Sequence, residues 1–236
     1  MATIVSLVLG LHIVAGYIAL GVAPGAMLTQ KGGWWHRRCG KVYVWSMAIV
    51  ALTAVMLSLY RPNLFLLLLA VFSFYQAFSG YRVLSRKLPS HGQRATSLDW
   101  FAAGVTLAGS IALAVYALSR VGSNSTFFIV PLIFGVLGII LASRDLHSFF
   151  RPRTAKNAWW FNHMGRMLGA YIATVSAFSV VNFAFLPPLI RWLWPTAIGI
   201  PGIFLWISYY RRHFGRTGSL PGTQVAGHGG VNPVLQ

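Results

Sequence analysis

Acidic residues are almost missing from this chain. It has two aspartates, Asp99 and Asp145, and no glutamate in 236 residues, against 19 lysines and arginines. A water-soluble domain carries about a quarter of its residues charged, with both signs spread over its surface, whereas only 9% are charged here. That shortage excludes an ordinary soluble surface and points to a bilayer as the solvent. Cysteine is equally scarce: Cys39 stands alone, which excludes an intrachain disulfide. It falls in a segment expected inside the cell, where it stays reduced. Compact catalytic motifs are lacking as well. There is no HExxH, no CxxC, no glycine-rich phosphate loop and no GxSxG.

What is present is apolar residue in long runs, 56% of the chain. A membrane-crossing helix needs about 20 mostly apolar residues. Seven segments qualify: Thr3–Ala23, Val42–Tyr60, Asn63–Leu84, Leu98–Leu118, Phe127–Leu146, Met164–Leu186 and Leu189–Tyr210. Only helices satisfy their own backbone groups in lipid when each segment crosses singly, so the expected fold class is all-α, a polytopic membrane helix bundle. The first segment has no basic n-region and is too long for a signal-peptide core, so it reads as a retained helix. Residues 1–213 form the expected transmembrane bundle, and the glycine-rich, polar stretch 214–236 reads as a disordered cytoplasmic tail.

The net charge of +17 raises the question of nucleic acid. The basic residues, however, lie in short clusters between apolar runs, as membrane-flanking loops do, and no nucleic-acid partner is expected. The clusters also orient the chain. Lys31, Arg37, Arg38 and Lys41 follow segment one, and Arg82, Arg86, Lys87 and Arg94 follow segment three. Arg144, Arg151, Arg153, Lys156 and Arg166 surround the link after segment five, and Arg211, Arg212 and Arg216 follow segment seven. The other side holds only Arg61, Arg120 and Arg191. By the positive-inside rule the N-terminus is outside and the C-terminus cytoplasmic. Trp34-Trp35 and Trp159-Trp160 read as an inner aromatic belt, and Trp192 and Trp194 as an outer one. Membrane lipids, anionic ones included at the basic side, are the expected surroundings. A membrane-protein partner or a homo-oligomer also fits such a chain.

Trp34-Trp35-His36-Arg37-Arg38-Cys39-Gly40-Lys41 reads faintly against Trp159-Trp160-Phe161-Asn162-His163-Met164-Gly165-Arg166. Both open an even-numbered helix from the inside. An offset of four helices keeps direction, so a parallel 3+1+3 repeat is one reading and shared interface composition the other.

Ionisable groups at membrane depth are functional candidates because burying them costs free energy. Asp99, Asp145, His147, His163 and His36 come from different segments at one inner rim. They form a candidate metal or proton-relay cluster, with Asp145–His163 and Asp99–His147 as the plausible pairs. The competing reading pairs each aspartate with a neighbouring arginine such as Arg144 or Arg94. His12 sits alone in mid-membrane as a candidate axial ligand for haem b, with Met47 or Met56 opposite, or else as a hydrogen-bonding helix contact. Gln76 and Asn182, with Pro201 of the seventh segment, are candidates for a substrate cavity. Pro195, Gly199, Pro201 and Gly202 predict a kink or break there.

The stretch HRRCGKVYVWSM, the helix end Gly80-Tyr81-Arg82, and NHMGRMLGAYIATVSAFSVVN followed by WLWPTAIGIPGI resemble an uncharacterised bacterial multi-pass inner-membrane family, the domain of unknown function 2306. His163, Gly165, Gly169, Tyr171, Ala173-Thr174 and Ala177-Phe178 carry the resemblance most specifically. It covers most of the chain. It implies a bacterial cytoplasmic membrane and imports no activity and no site residues.

Three functions follow as expectations. A small-molecule or ion carrier or binding protein fits the repeat, the irregular seventh helix and the polar residues of helices three and six. The architecture is shared with three-one-three sugar transporters. A haem-binding redox protein or respiratory-complex accessory subunit rests on His12. An intramembrane zinc-dependent lipid hydrolase, by analogy with seven-helix ceramidase-type enzymes, rests on the rim aspartates and histidines.

Overall fold

The computed structural model describes residues 2–87, 92–122, 126–151 and 157–217. Arg153 and Lys156 of the fifth link, and residues 218–236 of the expected tail, lie outside the described residues. The elements are α1 (Ala2–Leu28), α2 (Trp34–Tyr60), α3 (Leu64–Arg82), α4 (Ser97–Leu118), α5 (Ile129–Phe150), α6 (Ala158–Asn182) and α7 (Pro188–Thr217), with short 3-10 turns at Val83–Ser85 and Thr126–Phe128. Among the described residues there is no strand. All seven helices are long and apolar enough to cross a membrane, as expected of a multi-pass integral membrane protein.

The helices outrun the apolar segments, mostly at the basic ends. α2 begins at Trp34 rather than Val42, α6 at Ala158 rather than Met164, and α7 continues to Thr217, four residues into the expected tail. Hydropathy reports where lipid ends, not where the backbone leaves the helix, and Trp, Arg and Lys are acceptable helix formers. Sharp ends have local causes. The Asn63 side chain accepts a hydrogen bond from Leu66 N at 3.0 Å and opens α3. Gly32, at φ 78°, supplies the left-handed residue that turns the chain from α1 into α2.

α1 packs along α2, α4 along α5, and α6 along α7; α3 touches α2, α4, α5 and α6 and forms the middle of the bundle. The closest approaches depend on small residues, as membrane bundles require where lipid supplies no hydrophobic drive. A Cβ on Gly80 of α3 would lie 2.9 Å from Arg166 Cβ on α6. A Cβ on Gly135 of α5 would lie 2.8 Å from Ala114 N on α4. Gly169 of α6 is packed against the Gln76 side chain, and a Cβ on Gly25 of α1 would lie 3.3 Å from Cys39 Sγ, while one on Gly21 would meet nothing within 4 Å.

Two expectations need correction. α7 is not broken: it runs as one helix through Pro195 and Pro201. Each proline removes a single N–H donor, and ending the helix would leave several backbone groups unsatisfied instead. Trp192 is not an interfacial anchor either. It is 7% exposed and packs edge-on against Phe65 and Phe134 in a core cluster of α3, α5 and α7, while Trp194 Nε1 donates to Ser179 Oγ at 2.7 Å.

Candidate functional site

Two arrangements of polar residues meet at the basic end of the bundle, and they differ in kind. The first contains both aspartates. Asp99 stands in the first turn of α4 and is fully buried. Arg82, the last residue of α3, grips it with both ends of its fork: Nε donates to Oδ1 at 2.9 Å and Nη2 to Oδ2 at 2.8 Å. Thr96 adds its backbone N and its hydroxyl, both at 2.9 Å from Oδ2, and Arg86 Nη1 lies 3.6 Å from Oδ1. Burial lowers the pKa of the Arg86 guanidinium from its usual value, opposed by the charges of Asp99 and Asp145. A guanidinium stays protonated all the same. Asp145, on the last turns of α5, forms an ion pair with Arg166, whose Nη2 lies 2.7 Å from Oδ1, and its Oδ2 accepts from the Tyr75 hydroxyl at 2.6 Å. Arg166 Nη2 also donates to Leu141 O at 2.8 Å.

Both carboxylates are therefore occupied by arginines from other helices: Arg82 grips Asp99 with two nitrogens and links α3 to α4, and Arg166 meets Asp145 with one and links α6 to α5. The metal cluster expected from Asp99, Asp145, His147, His163 and His36 does not assemble. His147 is exposed on α5, and neither Asp145–His163 nor Asp99–His147 is a pair. Among the described residues no three His, Cys, Asp or Glu side chains come close enough to share an ion. The arginine pairing does occur, with Arg82 and Arg166 as partners instead of Arg94 and Arg144.

His12 is also accounted for locally. Its Nδ1 lies 2.9 Å from Thr53 Oγ1. The Thr53 hydroxyl gives its proton to the carbonyls of Ile49 and Val50, at 2.7 and 3.0 Å, so His12 donates and ties α1 to α2. Met47 is buried in the core with Ala19, Ala23 and Tyr43, and Met56 is 52% exposed. None of the expected cavity residues Gln76, Asn182 and Pro201 lines the cavity described below. Gln76 is buried against Gly169, Asn182 is exposed at the end of α6 with its Nδ2 donating to Phe178 O at 2.9 Å, and Pro201 is exposed on α7.

The second arrangement is a cavity of about 640 Å³. It is bounded by the end of α1, the α1–α2 turn, the first turns of α2, the end of α3, the start of α6 and Trp206 of α7. Its wall holds Lys31, Arg37, Lys41, Lys87, His36 and His163, and no carboxylate. Five aromatic and three thioether side chains line it as well, Tyr43, Tyr81, Trp159, Trp160, Trp206, Met27, Met164 and Met167, with Gln30 and small or aliphatic residues between them. Lys31 reaches back to the carbonyls of Ala26 and Met27 at the end of α1, and burial lowers its pKa from the usual ammonium range. Lys87 Nζ lies over the Trp159 ring, 4.5 Å from its centroid.

His36 and His163 meet edge-to-face in the wall of this cavity. His36 Nδ1 is 2.9 Å from Ala26 O, and His163 Nδ1 is 2.8 Å from Gly80 O. The ring centroids are 6.2 Å apart with the planes at 73°. They are the histidines of the two Trp-Trp-opened stretches that read against each other in sequence, so those stretches lie side by side. What sequence reasoning missed was this pairing of His36 with His163 alone. The available signal was the matched Trp-Trp openings with a histidine shortly after each.

Comparison of the chain with family models, with curated proteins and with solved structures gave no match.

Proposed function

We propose that this multi-pass membrane protein is a binding protein that takes a flat, amphipathic anion into the cavity at its basic end. In this reading that end faces the cytoplasm of a bacterial inner membrane, with the N-terminus outside. The observation that carries the proposal is the composition of the cavity wall: four cations, two histidines, no acid, and otherwise mostly apolar surface rich in aromatic and methionine side chains. Its volume, about 640 Å³, lies within the roughly 300–1,000 Å³ that holds cofactor-sized ligands. Cations without carboxylate partners favour an anion, and the apolar remainder favours a ligand that enters from the membrane interface. The unbroken α7 favours static binding over the carrier reading, which drew on a discontinuous helix. The lipid-hydrolase reading loses its ligands, because both aspartates are committed to arginines.

Gly40 provides the test. It lines the cavity on α2, and a Cβ there meets nothing within 4 Å. Gly40→Phe should fill the space while leaving the fold intact, since glycine inside a helix is already the poorer residue by up to about 1 kcal/mol. Iron-free protoporphyrin, a flat dicarboxylate, is the probe. In nanodiscs of zwitterionic lipid it should quench the cavity tryptophans and bind about tenfold more tightly than its uncharged dimethyl ester. Gly40→Phe should abolish that quenching without lowering the melting temperature. Equal binding of acid and ester, or binding indifferent to Gly40→Phe, would contradict the proposal.

A further inference from the structure

We infer that the anion this cavity is built for is a haem, with its iron held between His36 of α2 and His163 of α6. The inference rests on the cavity reading above and names its ligand.

The hydrogen bonds of the two rings come first. A backbone carbonyl can only accept, so the Nδ1 of His36, on Ala26 O at 2.9 Å, and of His163, on Gly80 O at 2.8 Å, both carry their protons. In the neutral ring this leaves each Nε2 with a bare lone pair. Fixing Nδ1–H on a carbonyl is how proteins set the tautomer and direction of a metal-binding histidine. Two histidines from different helices are prepared in the same way here.

Spacing comes second. An imidazole nitrogen binds a metal at about 2.0–2.1 Å, so two imidazoles on opposite sides of one ion place their ring centres about 6 Å apart. The observed separation is 6.2 Å. That distance alone also suits plain edge-to-face packing, which spans about 4.5–7 Å. The cavity around the rings decides between the two, because packed rings need no cofactor-sized space beside them.

The third point is ligand count. No third His, Cys, Asp or Glu joins the pair among the described residues, and a structural or catalytic zinc wants three or four protein ligands. Haem iron brings four nitrogens of its own and asks only for axial ligands. Its flat ring suits walls of Tyr43, Tyr81 and Trp160, and its two carboxylates suit Arg37 and Lys41.

The test adds hemin or iron-free protoporphyrin to the full-length protein in nanodiscs. One equivalent of hemin should bind, with the six-coordinate low-spin spectrum of two axial imidazoles, and about tenfold or more tightly than the iron-free ring. His36→Ala and His163→Ala should each weaken hemin about tenfold or more and leave a five-coordinate high-spin spectrum. Both variants should keep the parent's helical circular dichroism, which shows that they fold. His12→Ala should change nothing. If hemin binds no more tightly than protoporphyrin and the histidine variants are indifferent, iron ligation is overturned and the cavity reading stands. If neither porphyrin binds, both fall.

Discussion

Arg166→Leu should lower the stability of the protein by about 3–5 kcal/mol, the cost of stranding one member of a buried ion pair. Arg166 is 8% exposed, and its Nη2 holds Asp145 Oδ1 at 2.7 Å and Leu141 O at 2.8 Å. Without the guanidinium the carboxylate keeps only the neutral Tyr75 hydroxyl. Asp145→Leu alone should be comparably harmful, since it leaves the arginine buried. The double variant Arg166→Leu/Asp145→Leu should recover most of the loss, because replacing both members of a buried pair by apolar residues is often near neutral. Recovery is helped by an existing imperfection: Arg166 Nη1 is buried without a hydrogen-bond partner. Equilibrium unfolding in mixed micelles measures all three variants. A single-variant cost below about 1 kcal/mol, or a double variant as damaged as the sum, would show that the pair does not brace α5 on α6.

Gly138→Leu should cost about 3 kcal/mol, at the upper end for overpacking, because Ser110 Oγ and Cβ of α4 and the Phe72 ring of α3 already occupy the place its side chain would take. A Cβ on Gly138 would lie 2.9 Å from Ser110 Cβ and 3.1 Å from the Phe72 ring. The helices α4 and α5 would have to separate along a face that includes Ala103, Ala142 and Gly135, all buried. Gly104→Leu makes the same chemical change on the exposed side of α4, where a Cβ meets nothing within 4 Å. It should be neutral within about 0.5 kcal/mol, as surface substitutions usually are. A loss at Gly138 no larger than that at Gly104 would show that the α4–α5 crossing does not depend on the missing side chain.

The seven helices were legible because length and apolarity in a bilayer leave the backbone no other solution. The pairing of the aspartates was only half legible. Two carboxylates among 19 cations had to find arginines, but Arg82 lies in a different helix from Asp99, and Arg166 in a different helix from Asp145. Such partners are chosen by packing, and neighbours in sequence such as Arg144 point elsewhere. His12, Gln76 and Asn182 looked functional because a polar group in an apolar run is conspicuous. Each turned out to be satisfied by a neighbour or fitted against a glycine. The converse error concerned His36 and His163, which sit among tryptophans and arginines where a histidine looks ordinary. Their meaning depends on two rings from α2 and α6 meeting at the end of the bundle, and no spacing along the chain encodes it.

The claim on which the functional reading stands is that the cavity at the basic end is a ligand site open to that side of the membrane. Gly40→Cys placed in a Cys39→Ser background leaves one thiol, on the cavity wall. A membrane-impermeant maleimide should label it in inverted vesicles and not in intact cells, and protoporphyrin should block the labelling. Labelling from the outer side, or labelling unchanged by saturating porphyrin, would contradict the account.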